Sequence, residues 1–248
     1  MKSNEELQRH ASDILARAQS KDSSLRLLGG VAIRRLFPEP AEFPPLQRTC
    51  KDLDFGVGRK DAKGLAEIFA SCGFEADRQF NALHGATRLM FMAGDLQADV
   101  FVREFAQCHT LDLEPRLRLI DAALPPADLL LMKLQVVETN EKDFQDMCVI
   151  LLGAEIGSTD APRVINAEYI ADLTAQDWGW YTTCADTMDK LSAYVDANLP
   201  QAEQTVVLSR LKQLRQKMDD RPKSMKWKMR NAVGRKVIWY QLPEEARR

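Results

Sequence analysis

Histidine is scarce in this chain: three in 248 residues, His10, His84 and His109. None stands in a pattern with cysteine or glutamate that would make a transition-metal site, and a nucleophilic triad built on histidine has no local support. The five cysteines, Cys50, Cys72, Cys108, Cys148 and Cys184, are odd in number and scattered. No pair has CxxC spacing, so neither a zinc site nor a disulfide framework is indicated. No apolar run approaches the roughly 20 residues that span a bilayer, and no membrane partner is expected. Met1 to Gln8 are polar and acidic, which predicts no signal peptide and makes the cytosol the expected compartment. Internal repeats and low-complexity tracts are also missing.

What remains is an ordinary globular composition, 45% hydrophobic and 28% charged. The length suits one large domain or two small ones. The formal net charge of −2 hides an asymmetry. From Arg210 to Lys236 there are eleven Lys or Arg against Asp219 and Asp220, so this segment is +9 and the rest is −11. Such a segment is either a solvated helical face or a surface for nucleic acid.

Hydrophobic spacing predicts a capped amphipathic helix over 4–19, with Ser3 and Glu6 as a capping box. A short strand at Leu25–Leu28 runs through Gly29-Gly30 into a helix starting near Val31. Pro38, Pro40, Pro44 and Pro45 predict an extended loop. A strand follows around Leu53, then a helix over Asp61–Ser71 stopped by Gly73, and an extended stretch from Phe74. Arg88–Met92 and Leu96–Val102 read as a hairpin turning at Gly94-Asp95. Leu117–Ile120 is a further strand candidate. Helices are expected over Ala127–Glu138, Glu141–Leu152, 166–197 and 201–218, and a strand at Val237-Ile238-Trp239. The fold class is therefore α+β: a small mixed or antiparallel sheet with flanking helices over 1–155, then a mainly helical half over 156–248 carrying the basic segment 210–236.

Lys51-Asp52-Leu53-Asp54-Phe55-Gly56-Val57 organises the rest. Leu53, Phe55 and Val57 share one face, and Asp52 and Asp54 share the other. Two like charges that close are unfavourable unless a cation lies between them. Alone, the pattern better suits a solvated edge strand with two surface acids. Asp99 lies within the apolar run Ala98–Val102. It either faces water or, if its strand neighbours the first, completes an all-oxygen set suited to Mg²⁺. Gly29-Gly30, between strand and helix, is either a tight turn or a phosphate seat at a helix N-terminus. Lys133 interrupts the most apolar helix, either snorkelling to water or facing a polyphosphate. Asp143 and Asp146 share a helical face.

In this order, Leu28-Gly29-Gly30-Val31-Ala32, Arg48 to Phe55, Asp99, Lys133 and Lys142-Asp143-x-x-Asp146 resemble the nucleotidyltransferase fold of the DNA polymerase β superfamily. More closely, they resemble the AbiEii-type nucleotidyltransferase toxins of type IV toxin–antitoxin systems. The resemblance covers about residues 25–150. It implies transfer of a nucleoside monophosphate from an NTP to an acceptor hydroxyl, on RNA such as tRNA, on protein, or on a small molecule. Asp52, Asp54 and Asp99 would hold two Mg²⁺ ions and, with Lys133, carry the chemistry. Gly29, Gly30, Lys51, Lys133, Asp143 and Asp146 would bind the nucleotide. A cognate antitoxin is an implied partner. Lys223, Lys226, Trp227, Lys228 and Arg230 are candidates for contacting an RNA acceptor through phosphates and stacking. Two positions depart from the pattern: Gly30 stands where many members have serine, and Val31 where such toxins often have threonine. The alternative reading is a non-catalytic NTP- or partner-binding module that keeps the fold.

Overall fold

The chain begins with the expected capped helix. Ser3 Oγ accepts from the Glu6 backbone and the Glu6 carboxylate accepts from the Ser3 backbone, opening α1 at Asn4–Ser20. Its apolar stripe, Leu7, Ala11, Ile14, Leu15 and Ala18, is buried. The computed structural model describes residues 2–242. After α1 come β1 (Arg26–Leu28), α2 (Gly29–Leu36), α3 (Pro38–Ala41), β2 (Leu53–Val57), α4 (Leu65–Ser71), β3 (Glu75–Ala76) and α5 (Arg78–His84). Next are β4 (Arg88–Ala93), β5 (Leu96–Val102), β6 (Glu104–Ala106), β7 (Thr110–Asp112), α6 (Pro126–Leu134) and α7 (Glu141–Gly153). The last elements are β8 (Glu155–Gly157), β9 (Val164–Asn166), α8 (Ala167–Gln176), α9 (Trp178–Asn198), α10 (Gln201–Asp220) and α11 (Met225–Val233).

The result is α+β: a five-stranded mixed sheet, ordered β1-β2-β5-β4-β3, and a mainly helical C-terminal half. Only the β2–β5 pair in this sheet is parallel. The β4–β5 hairpin turns at Gly94-Asp95, where Gly94 has φ +62°. On one face Phe55 and Phe91 pack on Phe69 of α4, with the Phe69 and Phe91 rings stacked at 4.1 Å. Side chains alternate along a strand, so the residues between them point to the other face. The apolar core runs from Leu7 to Met218 and crosses residue 155 without a break.

Several expectations are corrected. The proline-rich stretch is not simply extended. It holds α3 and a 3₁₀ turn at Pro44–Leu46, because proline suits the first turn of a helix, where no backbone donor is needed. Leu117–Ile120 and Val237–Trp239 form no strand. Among the described residues neither pairs with a strand, and Ile238 is 76% exposed. The stretch after Phe74 gives only two strand residues before Asp77 caps α5. Helix α6 ends at Leu134 rather than Glu138. The helix expected over 166–197 breaks at Asp177, whose side chain accepts from the Gly179 and Trp180 backbones and starts α9. The β6–β7 hairpin, the β8–β9 pair and α11 were not expected.

Candidate active site

One row of the sheet sets the site. Leu28 of β1, Asp54 of β2, Asp99 of β5 and Met90 of β4 are successive partners across it. The parallel β2–β5 register puts Asp54 and Asp99 side by side on the face opposite the phenylalanine cluster. Asp52 lies just before β2 and is exposed. The chain leaves the row at Leu28 and turns into α2 through Gly29, which has φ +65°.

Gly29 and the three carboxylates line a cleft of about 420 Å³. Gly29, Asp52, Asp54 and Asp99 come from the sheet side, and Lys133, Asn140 and Asp143 from α6, α7 and their connection. Arg88 and Gln97 also line it, as do Phe105 and Gln107 from the unexpected β6–β7 hairpin. Gly30, Lys51 and Asp146 lie outside its lining.

The carboxylates are not equivalent. Among the described residues, Asp52 and Asp54 have no hydrogen-bond donor or cation within bonding distance. Burial, then the neighbouring Asp52 and Asp99 charges, push the Asp54 carboxyl up to about 7, with Lys133 and Arg88 pulling the other way. Asp99 is 2% exposed and already matched. Arg88 Nε donates to its Oδ1 at 3.0 Å, and Gln97 Nε2 donates to its Oδ2 at 2.7 Å. Among the described residues no three His, Cys, Asp or Glu side chains form a ready metal cage. The unpartnered Asp52 and Asp54 do have the chemistry for one hard divalent ion: oxygen donors, unrelieved charge and access from the cleft.

Lys133 does not snorkel. Its Nζ is 3.0 Å from both Asp143 Oδ1 and Asp146 Oδ2. Burial works against its charge, but Asp146 and Asp143 outweigh this and raise its pKa. Asp146 is fully buried and is a counter-ion beneath the cleft wall. Arg34 Nη1 donates to it at 2.9 Å, and Arg48 holds it with Nε at 2.9 Å and Nη2 at 2.6 Å. Burial raises its pKa, but Lys133, Arg48 and Arg34 overcome that and bring it down to about 2. Asp143 also shares a capping box with Asn140, so the turn that starts α7 fixes the carboxylate that holds Lys133.

At both glycines an added side chain would displace a neighbouring one. A Cβ on Gly29 would lie 2.2 Å from Asp54 Oδ2, and one on Gly30 would lie 2.2 Å from an Arg48 guanidinium nitrogen. Gly29→Ala is therefore expected to lose about 1 kcal/mol from its positive φ and to push the Asp54 carboxylate aside. Gly94→Ala is its control, with φ +62° and nothing within 4 Å of the added Cβ. Divalent-ion affinity, measured calorimetrically, should fall for Gly29→Ala and stay at the wild-type value for Gly94→Ala. Equal affinities would mean that Asp54 does not depend on the close backbone.

The basic segment lies apart, and none of its residues lines the cleft. Trp227 is half-buried, edge-on to Tyr181 at 5.4 Å, and is no free stacking platform. The Lys223 ammonium donates to the Met218 carbonyl. Arg230 donates to the Gly234 and Val237 carbonyls at 2.6 and 2.7 Å. Lys226 and Lys228 are exposed.

Arg88, Gln97, Arg34 and Asn140 were not singled out from sequence. A signal for Arg88 was present: once the hairpin turns at Gly94-Asp95, Met90 pairs with Asp99 and Arg88 falls on the diagonal.

No protein-family model matches the chain, and no curated protein matches it. Among solved structures it is similar to the antibiotic-resistance factor ANT(2'')-Ia. The solution structure of that protein gives a TM-score of 0.41 at 12% identity, covering 59% of this chain and 83% of that one. Its crystal structure in complex with adenylyl-2''-tobramycin gives 0.39 at 14% identity, covering 56% and 83%. No helix among the described residues is long and apolar enough to cross a membrane.

Proposed function

We propose that the chain is a metal-dependent nucleotidyltransferase that moves a nucleoside monophosphate from an NTP to an acceptor hydroxyl. The observation that carries this reading is the convergence of Gly29, Asp52, Asp54, Asp99 and Lys133 on one cleft. They come from separate segments, in the order of the sequence resemblance.

Asp52 and Asp54 would hold the divalent ion, which when bound supplies charge neutralisation at the triphosphate. The chain's own groups do the rest. The Gly29 turn leaves the backbone bare beside Asp54, so phosphate oxygens can approach the first turn of α2 closely. Lys133, kept charged by Asp143 and Asp146, meets phosphate charge from the opposite wall. Cation and carboxylates are set before substrate arrives, so little reorganisation is left for the reaction. Asp146 acts through Lys133 as a positioning residue.

Among acceptors, RNA is supported by the exposed Lys226 and Lys228 on a strongly basic helix. The toxin role and a cognate antitoxin are supported by the sequence resemblance. A second reading, a nucleotide- or partner-binding module without catalysis, is favoured by the engagement of Asp99 with Arg88 and Gln97.

Incubation with each α-labelled NTP, Mg²⁺ and total RNA separates them. The transferase reading expects label on a macromolecule with the wild type and none with Asp52→Ala. Nucleotide binding without labelled RNA, protein or small molecule would favour the second reading, and failure to bind nucleotide would end both.

A further inference from the structure

Arg88 enters the cleft from β4 and grips Asp99 with two nitrogens along one edge of its guanidinium. Its Nε is 3.0 Å from Oδ1, and its Nη2 is 2.9 Å from Oδ2. Gln97 Nε2 adds a third donor to Oδ2. The guanidinium is braced by two rings, 5.2 Å from the Phe101 centroid and 5.7 Å from that of Phe80. Asp99 therefore has a donor on each of its oxygens. Asp52 and Asp54 have no such partners. The three carboxylates that share the cleft thus divide into an unmatched pair and a neutralised single.

Resting on the nucleotidyltransferase reading of this cleft, we propose that Arg88 takes the place of a second metal ion. Asp52 and Asp54 bind one divalent cation, and Asp99 is the anchor of Arg88 rather than a metal ligand. A guanidinium suits this place. It is permanently charged, its planar fork matches a carboxylate, and it stacks on aromatic faces where a strongly hydrated ammonium would not. The fork leaves part of the group on the cleft side, where Arg88 remains about a third exposed. Positive charge then reaches the phosphates from three directions: the ion on Asp52 and Asp54, Lys133 on the helical wall, and Arg88 on β4. Arginine is sterically fixed where an ion would be exchangeable, so one of the three charges becomes independent of metal supply.

The test is metal stoichiometry, read by the electron paramagnetic resonance signal of free Mn²⁺ during titration of the full chain. It is run with Mn²⁺ alone and with methylene-bridged ATP. The wild type is expected to bind one Mn²⁺ per chain, and Asp99→Asn still one. Arg88→Ala is expected to bind two, because the Asp99 oxygens are released. Two ions on the wild type would overturn the proposal, as would loss of the ion in Asp99→Asn. If Arg88→Ala does not fold, the wild-type count alone decides. Two ions would leave the nucleotidyltransferase reading intact. No ion on the wild type would overturn both that reading and this one.

Discussion

Asp54→Asn is expected to lower nucleotidyl transfer by about three orders of magnitude, the several kcal/mol that a metal-held charge clamp supplies. It is also expected to leave the folded chain at least as stable above pH 7. The second part separates this carboxylate from an ordinary structural acid. Burial, Asp52 and Asp99 raise its pKa from 3.8 to about 7. Its favourable contribution to folding is therefore complete below about pH 4 and is lost as pH rises through about 7. Above that pH the wild type holds an unmatched charge, and asparagine does not. At pH 8 the variant should gain on the order of 2 kcal/mol after solvent screening, and at pH 5 that gain should shrink towards zero. Divalent ion should raise the wild-type melting temperature at pH 8 and leave that of the variant unmoved. Thermal melts at the two pH values, with and without Mn²⁺, check all three statements. A variant that melts well below wild type at pH 8 would make Asp54 a structural acid and remove the basis for the metal reading.

The largest loss of stability is expected from Asp146→Ala. That carboxylate is fully buried and faces Arg34, Arg48 and Lys133. Removing it leaves three cations with one bonded carboxylate, Asp143, which serves Lys133 alone, and only carbonyl partners for Arg34 and Arg48. Breaking a buried ion pair from one side costs about 3–5 kcal/mol, and this site has more charge to strand than a pair. Arg34→Met and Arg48→Met should each cost less, because Asp146 keeps its other cations. Urea unfolding at neutral pH measures the series. A loss of less than about 1 kcal/mol for Asp146→Ala would show that the cations relax to water, and Lys133 would then need another anchor.

The legible part of the molecule was local. Ser3 and Glu6 announce α1, the alternation around Leu53 announces β2, and Gly94-Asp95 announces the hairpin that carries Asp99. These signals lie within a few residues of one another, and nothing distant is needed to read them. The strand neighbours of β2 were not legible by spacing, because the parallel β2–β5 pair joins Asp54 to Asp99 across α4, β3, α5 and β4. The clasp of Arg88 on Asp99 depends on that hairpin's register. The network around Asp146 joins residues up to 112 positions apart, so no short window contains it. The C-terminal half misled for another reason. The +9 charge of its segment 210–236 reads as an exposed stripe, yet many of these side chains turn inward or pair locally: Arg210 to the Leu151 and Leu152 carbonyls, Arg221 to Glu168 and Asp172, Arg235 to Asp186. Charge counting cannot separate a cation that caps a neighbouring helix from one that waits for a phosphate.

Those inward contacts bear on how the chain could be divided. Arg210 of α10 closes the carbonyl end of α7, and Lys190 of α9 donates to the Val137 carbonyl in the α6–α7 connection at 2.8 Å. The α6–α7 pair holds Lys133 and Asp143, so the scaffold that aims the ammonium is finished by residues far beyond position 155. Excising residues 1–155 as a minimal catalytic fragment would strip the apolar backs of α6 and α7 and unclamp the very turn that orients the lysine. The C-terminal helices are a buttress for the cleft, and an engineered graft of this centre onto another scaffold would have to bring them along.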